Sequence, residues 1–459
     1  MFLIMKQNFL SSKLYIYYSF VFILHIFNVF LQIDFLNYFI GILAIPMLVI
    51  SFFGATTLFK ILGFSFLGIG SFMFLSEGHS ISQLPLFFTS SMSLLTLLAV
   101  LPWMNSVVKC GRFDQKLRVL MKANVNNLGQ LYPRSTATTY TLGAFLNLSA
   151  IPISQEVLMN SLTKIKTKVQ QSFITTATLR GFSLVLIWSP VEILLALTIH
   201  STQVSYASFL PWLLLLSFIG LLFDLVWGRF YYRKFPYEAT GSNHTLNLKE
   251  LGMKIFHLIT ALSLFLIVVI FTGNLLNQDF VIIVTLVILP FSVIWAIVMK
   301  RWRSFWTIGW KTWKIKTNSM QNFIVLFLSL AFFTNSLQGT ELLQSIQYVF
   351  IANADYPILI LLLIQFTFLL LAFFGVHPVA TLGILSEVIT PLLTFMNPLS
   401  VGIALMIGAV INASIGTYGL VVTITSINTK QSPYRISLTN LPFALFMIVV
   451  GTTLAYLLL

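Results

Sequence analysis

The chain has 459 residues, of which 58% are hydrophobic and only 8% charged, and its mean hydropathy is +0.94. No water-soluble core needs that much apolar surface. Runs such as Ala261–Phe271 and Ile358–Phe374 suit lipid-facing helices of about 20 residues rather than the weakly alternating segments of a barrel. A formal net charge of +14 would suggest nucleic acid in a soluble protein, but here the cations fall between apolar runs, so no nucleic-acid partner is expected. The single cysteine, Cys110, excludes an intramolecular disulfide and offers no metal cluster.

In chain order, Lys6 and Lys13 precede a first span at about Leu14–Gln32, with no convincing small-residue cleavage site after it, so this helix is expected to be retained. Spans follow at about Phe35–Leu58, Ile61–Leu75 and Pro85–Trp103. Basic connections (the N-terminus, Lys60, Lys109 to Arg134, Lys164 to Arg180, Arg229 to Lys254, Lys300 to Lys316, Lys430 to Arg435) alternate with acidic or uncharged ones around Asp34, Glu77, Ser201 to Tyr206, Asp279 and Glu341 to Asp355. The positive-inside rule makes the first set cytoplasmic, and with it the N-terminus.

Residues 137–163 have a basic loop on both sides and are therefore expected to enter and leave by one face, as a re-entrant hairpin. Spans near Gly181–Ile199 and Ser208–Gly228 follow. After the linker, spans are expected at Lys254–Gly273, Phe280–Met299 and Asn322–Gln338. A second hairpin, 356–395, dips from the outer face, and spans near Leu399–Thr425 and Ser437–Leu459 come last. The fold class is an all-α polytopic membrane protein of about eleven spans and two re-entrant hairpins. Its divisions are a leading helix (1–34), a first inverted repeat (35–228), a cytoplasmic linker (229–253) and a second repeat (254–459). Phe113, Leu117, Leu120 and Met121 among Arg112, Lys116, Arg118 and Lys122 describe an amphipathic helix at the inner surface. Leu342, Leu343, Ile346, Val349 and Phe350 describe one at the outer surface. Trp302, Trp306, Trp310 and Trp313 share a helical face and read as an interfacial anchor.

The two hairpins carry corresponding interruptions, Asn147-Leu-Ser149 and Gly375-Val-His377-Pro378. A helix broken at membrane depth is tolerated only where protein or a water-filled cavity receives it, and paired breaks in two halves point to a transporter's binding site. Asn147 and Ser149 add side-chain donors or acceptors, Gly375 admits close backbone approach, and Pro378 suits the first turn of a returning helix. About forty residues beyond each tip comes another interruption, Trp188-Ser189-Pro190 in one half and Asn412-Ala-Ser414-Ile-Gly416-Thr417-Tyr-Gly419 in the other. Few ionisable groups stand at membrane depth, where they are costly. Glu156 and Glu387 occupy near-equivalent places in the returning arms, Glu192 lies just past the Pro190 kink, and His377 could titrate at the second tip. Asp224, near Arg229 at a helix end, reads as a surface pair.

This arrangement resembles the ion transporter superfamily, whose best-known branch is the divalent anion/sodium symporters. The resemblance is architectural and covers nearly the whole chain. The symporters' Ser-Asn-Thr tip motif is replaced here by Asn147-Leu-Ser149 and Gly375-Val-His377-Pro378. The resemblance implies a fixed scaffold, a mobile transport unit and a homodimer. It also implies sites where each hairpin tip meets the broken helix of its own repeat. Carried over, Asn147 and Ser149 pair with Ser189 and Pro190, and Gly375 and His377 with Asn412, Ser414 and Thr417, as substrate-binding residues.

The expectation is an ion-coupled secondary transporter of a small, anionic solute in a cytoplasmic membrane. It has no catalytic centre, metal or cofactor beyond a coupling proton or sodium ion, with Glu192, Glu156 and Glu387 as candidate coupling groups. Its partners are the solute and membrane lipid. The rival reading is a membrane enzyme or flippase acting on a lipid-linked substrate, which would call for a large charged outer loop or a charged cavity. No Gly-x-x-x-x-Gly-Lys-Ser/Thr loop, His-Glu-x-x-His or Gly-x-Ser-x-Gly occurs in the sequence.

Overall fold

A computed structural model describes residues 13–111, 121, 125–237, 248–417 and 419–459. Lys6, most of the expected amphipathic segment Phe113–Lys122 and part of the expected linker lie outside the described residues. The described residues form helices: α1 Leu14–Leu31, α2 Asp34–Gly54, α3 Thr57–Ser76, α4 Met92–Cys110, α5 Leu128–Leu146, α6 Ala150–Ser161, α7 Thr167–Leu186, α8 Ile193–Thr202, α9 Tyr206–Tyr232 and α10 Leu248–Leu276. They continue as α11 Phe280–Val298, α12 Trp302–Asn318, α13 Gln321–Leu337, α14 Glu341–Ile351, α15 Pro357–Phe373, α16 Pro378–Ile389, α17 Pro398–Ile415, α18 Leu420–Thr429 and α19 Pro433–Leu457. Among the described residues, ten helical stretches are by length and composition apolar enough to cross a membrane, or eleven with the bent pair α12 and α13 taken as one. The chain is a polytopic, multi-pass helical membrane protein.

Two compact units cut across the order of the chain. Met1–Cys110 with Thr272–Val349 form one, and Gly111–Phe271 with Phe350–Leu459 the other. The first unit is held by apolar and aromatic packing. Phe66 lies 5.3 Å from Phe333, Phe88 stacks on Phe332 at 5.1 Å, and Trp103 of α4 meets Phe305, Trp306, Trp310 and Trp313 of α12. The tryptophan face expected to anchor at an interface thus also packs on α4, while Trp302 and Trp310 remain exposed. In α14, Leu343 and Phe350 are buried but Leu342 and Val349 are not, so only part of the expected apolar stripe faces inward.

The second unit holds the interruptions at Asn147, Pro190, Gly375 and Gly416. Its longest departure from the expected spans is α7, which reaches back to Thr167 through residues expected to form a basic loop. Arg180, assigned to that loop, is instead buried inside α7.

Candidate functional site

Asn127 caps α5, its side chain accepting from the Gln130 N–H at 3.0 Å. The helix runs to Leu146, and Asn147 takes φ 45° with ψ −133°, outside helical geometry of either hand. Leu128, Leu131 and Tyr132 from the start of α5 share one core cluster with Val157, Leu158 and Leu162 from the end of α6. An unbroken helix over that stretch would part them by about 50 Å at 1.5 Å per residue. The chain therefore doubles back at Asn147–Ser149.

Parallel packing of α15 and α17 requires a second doubling back. Gly408 of α17 lies against Phe368 and Gln365 of α15, and Thr417 beyond α17 bonds to the carbonyls of Ala372 and Phe373 at the end of α15. Since α15 and α17 run side by side in the same direction, residues 374–397 must return to the starting end. Gly375 makes the turn at φ 81°. His377 caps α16, its ring accepting from the Val379 N–H at 3.3 Å, and Pro378 opens that helix without needing a donor. As cap acceptor, the Nδ1 of His377 carries no proton.

Each reversal meets a break. Between α7 and α8 the chain leaves helical geometry at Ile187–Glu192, where Pro190 supplies no N–H. Ser189 and Pro190 are buried there. Glu192 caps α8, accepting from the Leu194 N–H at 3.5 Å, and the Asn147 side chain lies beside its carboxylate. Trp188 is pinned on two sides, donating from Nε1 to the Tyr140 hydroxyl at 2.7 Å and accepting at its carbonyl from Tyr206 at 2.8 Å.

The second break, between α17 and α18, opens at Gly416, where a Cβ would collide with the Asn412 Oδ1. Thr417 donates its hydroxyl to Phe373 at 3.0 Å and to Ala372 at 3.3 Å, tying the break to the first arm of the hairpin. Asn412 is 2% exposed, yet its Nδ2 has no partner among the described residues. Ser414 spends its hydroxyl on the Ile411 carbonyl at 2.9 Å.

The structure thus brings Asn147 to Glu192 and Thr417 to the end of the second hairpin's first arm. Ser149 is half-buried at the start of α6 and makes no side-chain cap. Glu156 points from the exposed face of α6, and Glu387 is half-buried in α16. The returning arms reach elements distant in sequence. Gln155 of α6 donates to Thr178 at 3.2 Å and to Thr425 of α18 at 2.7 Å, and accepts from Asn428 at 2.8 Å. Ser386 of α16 bonds to Ser201 of α8.

A buried charge pair was not foreseen. Asp224 is fully buried and bridges to Arg180 at 3.1 Å, so it is not the surface partner of Arg229, which is exposed. Tyr132 donates to both Asp224 oxygens at 3.0 and 3.1 Å. Arg180 also donates to Asn440 Oδ1 and to the Thr439 carbonyl, each at 3.1 Å, and its guanidinium lies 4.3 Å from the Trp227 ring centre. Asn440 in turn donates to the Ser414 carbonyl at 3.3 Å. A connected polar path thereby runs from α7 to the edge of the second break. The signal in the sequence was one acid, Asp224, inside the apolar run from Gly220 to Trp227, which calls for a buried cation rather than a surface one.

The sequence matches no family model and no curated protein. Its fold is similar to that of several solved structures, among them two transport proteins. The Alcanivorax borkumensis YdaH transporter, described as having an unusual topology, superposes with a TM-score of 0.58 at 16% identity, covering 87% of this chain and 96% of that one. Neisseria gonorrhoeae MtrF, assigned to a class of antimetabolite efflux pumps, superposes with a TM-score of 0.55 at 14% identity, covering 89% and 97%. At these identities the likeness establishes a shared membrane-protein fold over nearly the whole length of each chain.

Proposed function

We propose that the chain is a secondary transporter of a small anionic solute, coupled to a proton or sodium ion and built on two inverted repeats with re-entrant hairpins. The observation that carries this is the meeting of each doubled-back helix pair with a broken helix, through Asn147 and Glu192 in one half and through Thr417, Ala372 and Phe373 in the other. Four helices, α6, α8, α16 and α18, begin at these interruptions, and helix N-termini offer N–H donors and partial positive charge to an anion. The unpartnered Asn412 amide adds a side-chain donor. Glu192, at the first break, is the acid placed to take up a coupling proton or cation.

In this reading the second unit carries the solute as a body in an elevator-type cycle, and the chain works as a homodimer in a cytoplasmic membrane. Ser149, Ser189, Pro190, Gly375, His377 and Ser414 shape the pocket beside the residues above. The neighbours' description as transporters favours transport over lipid-linked enzymology.

Single cysteines at Ser149 and Gly375, in a Cys110→Ser background, test it. Membrane-impermeant reagent is expected to label the two from opposite faces, with solute protecting both. Failure of both to label in sealed vesicles would mean closed helices and would end the transporter reading.

A further inference from the structure

Along the second half of α9, Leu222, Phe223, Val226, Trp227, Phe230 and Tyr231 line an apolar groove of about 710 Å³. The floor is rigid. Tyr231 stacks on Trp227 at 4.8 Å, Arg180 lies over the Trp227 ring, and Phe223 stacks on Phe446 of α19 at 3.8 Å. From Leu222 to Tyr231 the helix advances about 14 Å, close to half of a hydrocarbon core of roughly 30 Å, the depth of one leaflet.

The groove ends in positive charge. Lys234 Nζ sits 4.9 Å from the Tyr231 ring centre, and Arg229, Arg233 and Lys234 are exposed. No acid occurs anywhere in the run from Leu225 to Tyr237. An aromatic pair beside a cluster of cations at a helix end is the chemistry of a membrane interface that recognises anionic head groups.

We infer that this groove is a specific site for an anionic phospholipid, with an acyl chain along Leu222–Tyr231 and the phosphate at Arg233 and Lys234. Every exposed helix face meets lipid. What distinguishes this one is a one-leaflet groove that closes on cations without an ion-pair partner among the described residues. The site stands apart from the proposed transport role and does not depend on it.

The test titrates the purified full chain, in neutral detergent, with dioleoylphosphatidylglycerol or dioleoylphosphatidylcholine and counts bound lipid by native mass spectrometry. The glycerol lipid is expected to bind more tightly to the wild type. Arg233→Ala with Lys234→Ala is expected to lower that affinity by roughly fivefold per cation removed, leaving phosphatidylcholine unchanged. Lys164→Ala with Lys168→Ala, exposed cations elsewhere in the same unit, is expected to leave both lipids unaffected. Val226→Trp, which fills the groove without touching charge, is expected to weaken phosphatidylglycerol as well. Equal binding of the two lipids by the wild type, an equal loss in the Lys164/Lys168 pair, or full affinity in Val226→Trp would each overturn the assignment.

Discussion

At the first break a carboxylate, Glu192, caps the second helix and lies beside the Asn147 side chain. At the second, the corresponding cap is Gly419, with no side chain, and the contact with the hairpin is a threonine hydroxyl on two backbone carbonyls. The same reversal-and-break geometry is thus assembled with charge on one side and with neutral groups on the other. A carboxylate beside a helix N-terminus already satisfies that terminus, whereas the start of α18 and the Asn412 amide keep donors to offer. In a transporter this division would suit a proton or cation near Glu192 and an anion near Asn412.

The strongest way to disturb the comparison is to strip Arg180 of its partner. Asp224→Leu leaves a buried guanidinium uncompensated, and the expected cost is about 3–5 kcal/mol, read as a lower unfolding midpoint of the purified protein. Because Arg180 reaches the Ser414 carbonyl through Asn440, labelling at the second break should change more than labelling at the first. Equal changes at both would show that the pair serves general stability alone.

Asn147→Leu and Glu192→Gln act on the charged side. Leucine removes the polar group beside a carboxylate, and the expected loss of uptake is about 1–3 kcal/mol in apparent terms, or five- to 150-fold, with the protein still in the membrane. Glutamine keeps a cap acceptor but cannot exchange a proton. Uptake by Glu192→Gln is therefore expected to lose its dependence on pH. An unaltered pH profile would remove Glu192 from coupling, and unchanged uptake in Asn147→Leu would remove the first tip from the site.

Thr417→Val, on the neutral side, should be the mildest. It deletes one hydroxyl donor to carbonyls that also receive the Thr417 N–H, at 3.3 Å to Ala372. A loss of about 0.5–1.5 kcal/mol in stability is expected by thermal shift. A larger effect than that of Asn147→Leu would mean that the neutral break bears more of the site than the charged one.

Much of the fold can be read along the chain because hydrocarbon imposes long apolar runs and leaves glycine, asparagine and proline to punctuate them. The observed α1, α11 and α13 begin and end within a residue or two of the expected spans. The interruptions at Asn147, Pro190, Gly375 and Gly416 stand out for the same reason. Partnership does not. Arg180 sits at the edge of a polar, threonine-rich stretch and reads as a loop cation by the positive-inside rule. Only the fold supplies Asp224, 44 residues on, and Asn440, 260 residues on. Gln155 is equally silent, since its partners Thr425 and Asn428 lie 270 and 273 residues further along the chain.

Those sequence separations bear on how the chain is made. Arg180 and Asp224 can find each other soon after α9 emerges, but the amide that takes the arginine's Nε appears only with α19. During synthesis the half-built unit must therefore hold a guanidinium with an open valence in or near the bilayer, until residue 440 is inserted. Late docking of α19 onto that waiting cation would act as a checkpoint in biogenesis, at which a truncated or misthreaded chain is recognisable to quality control.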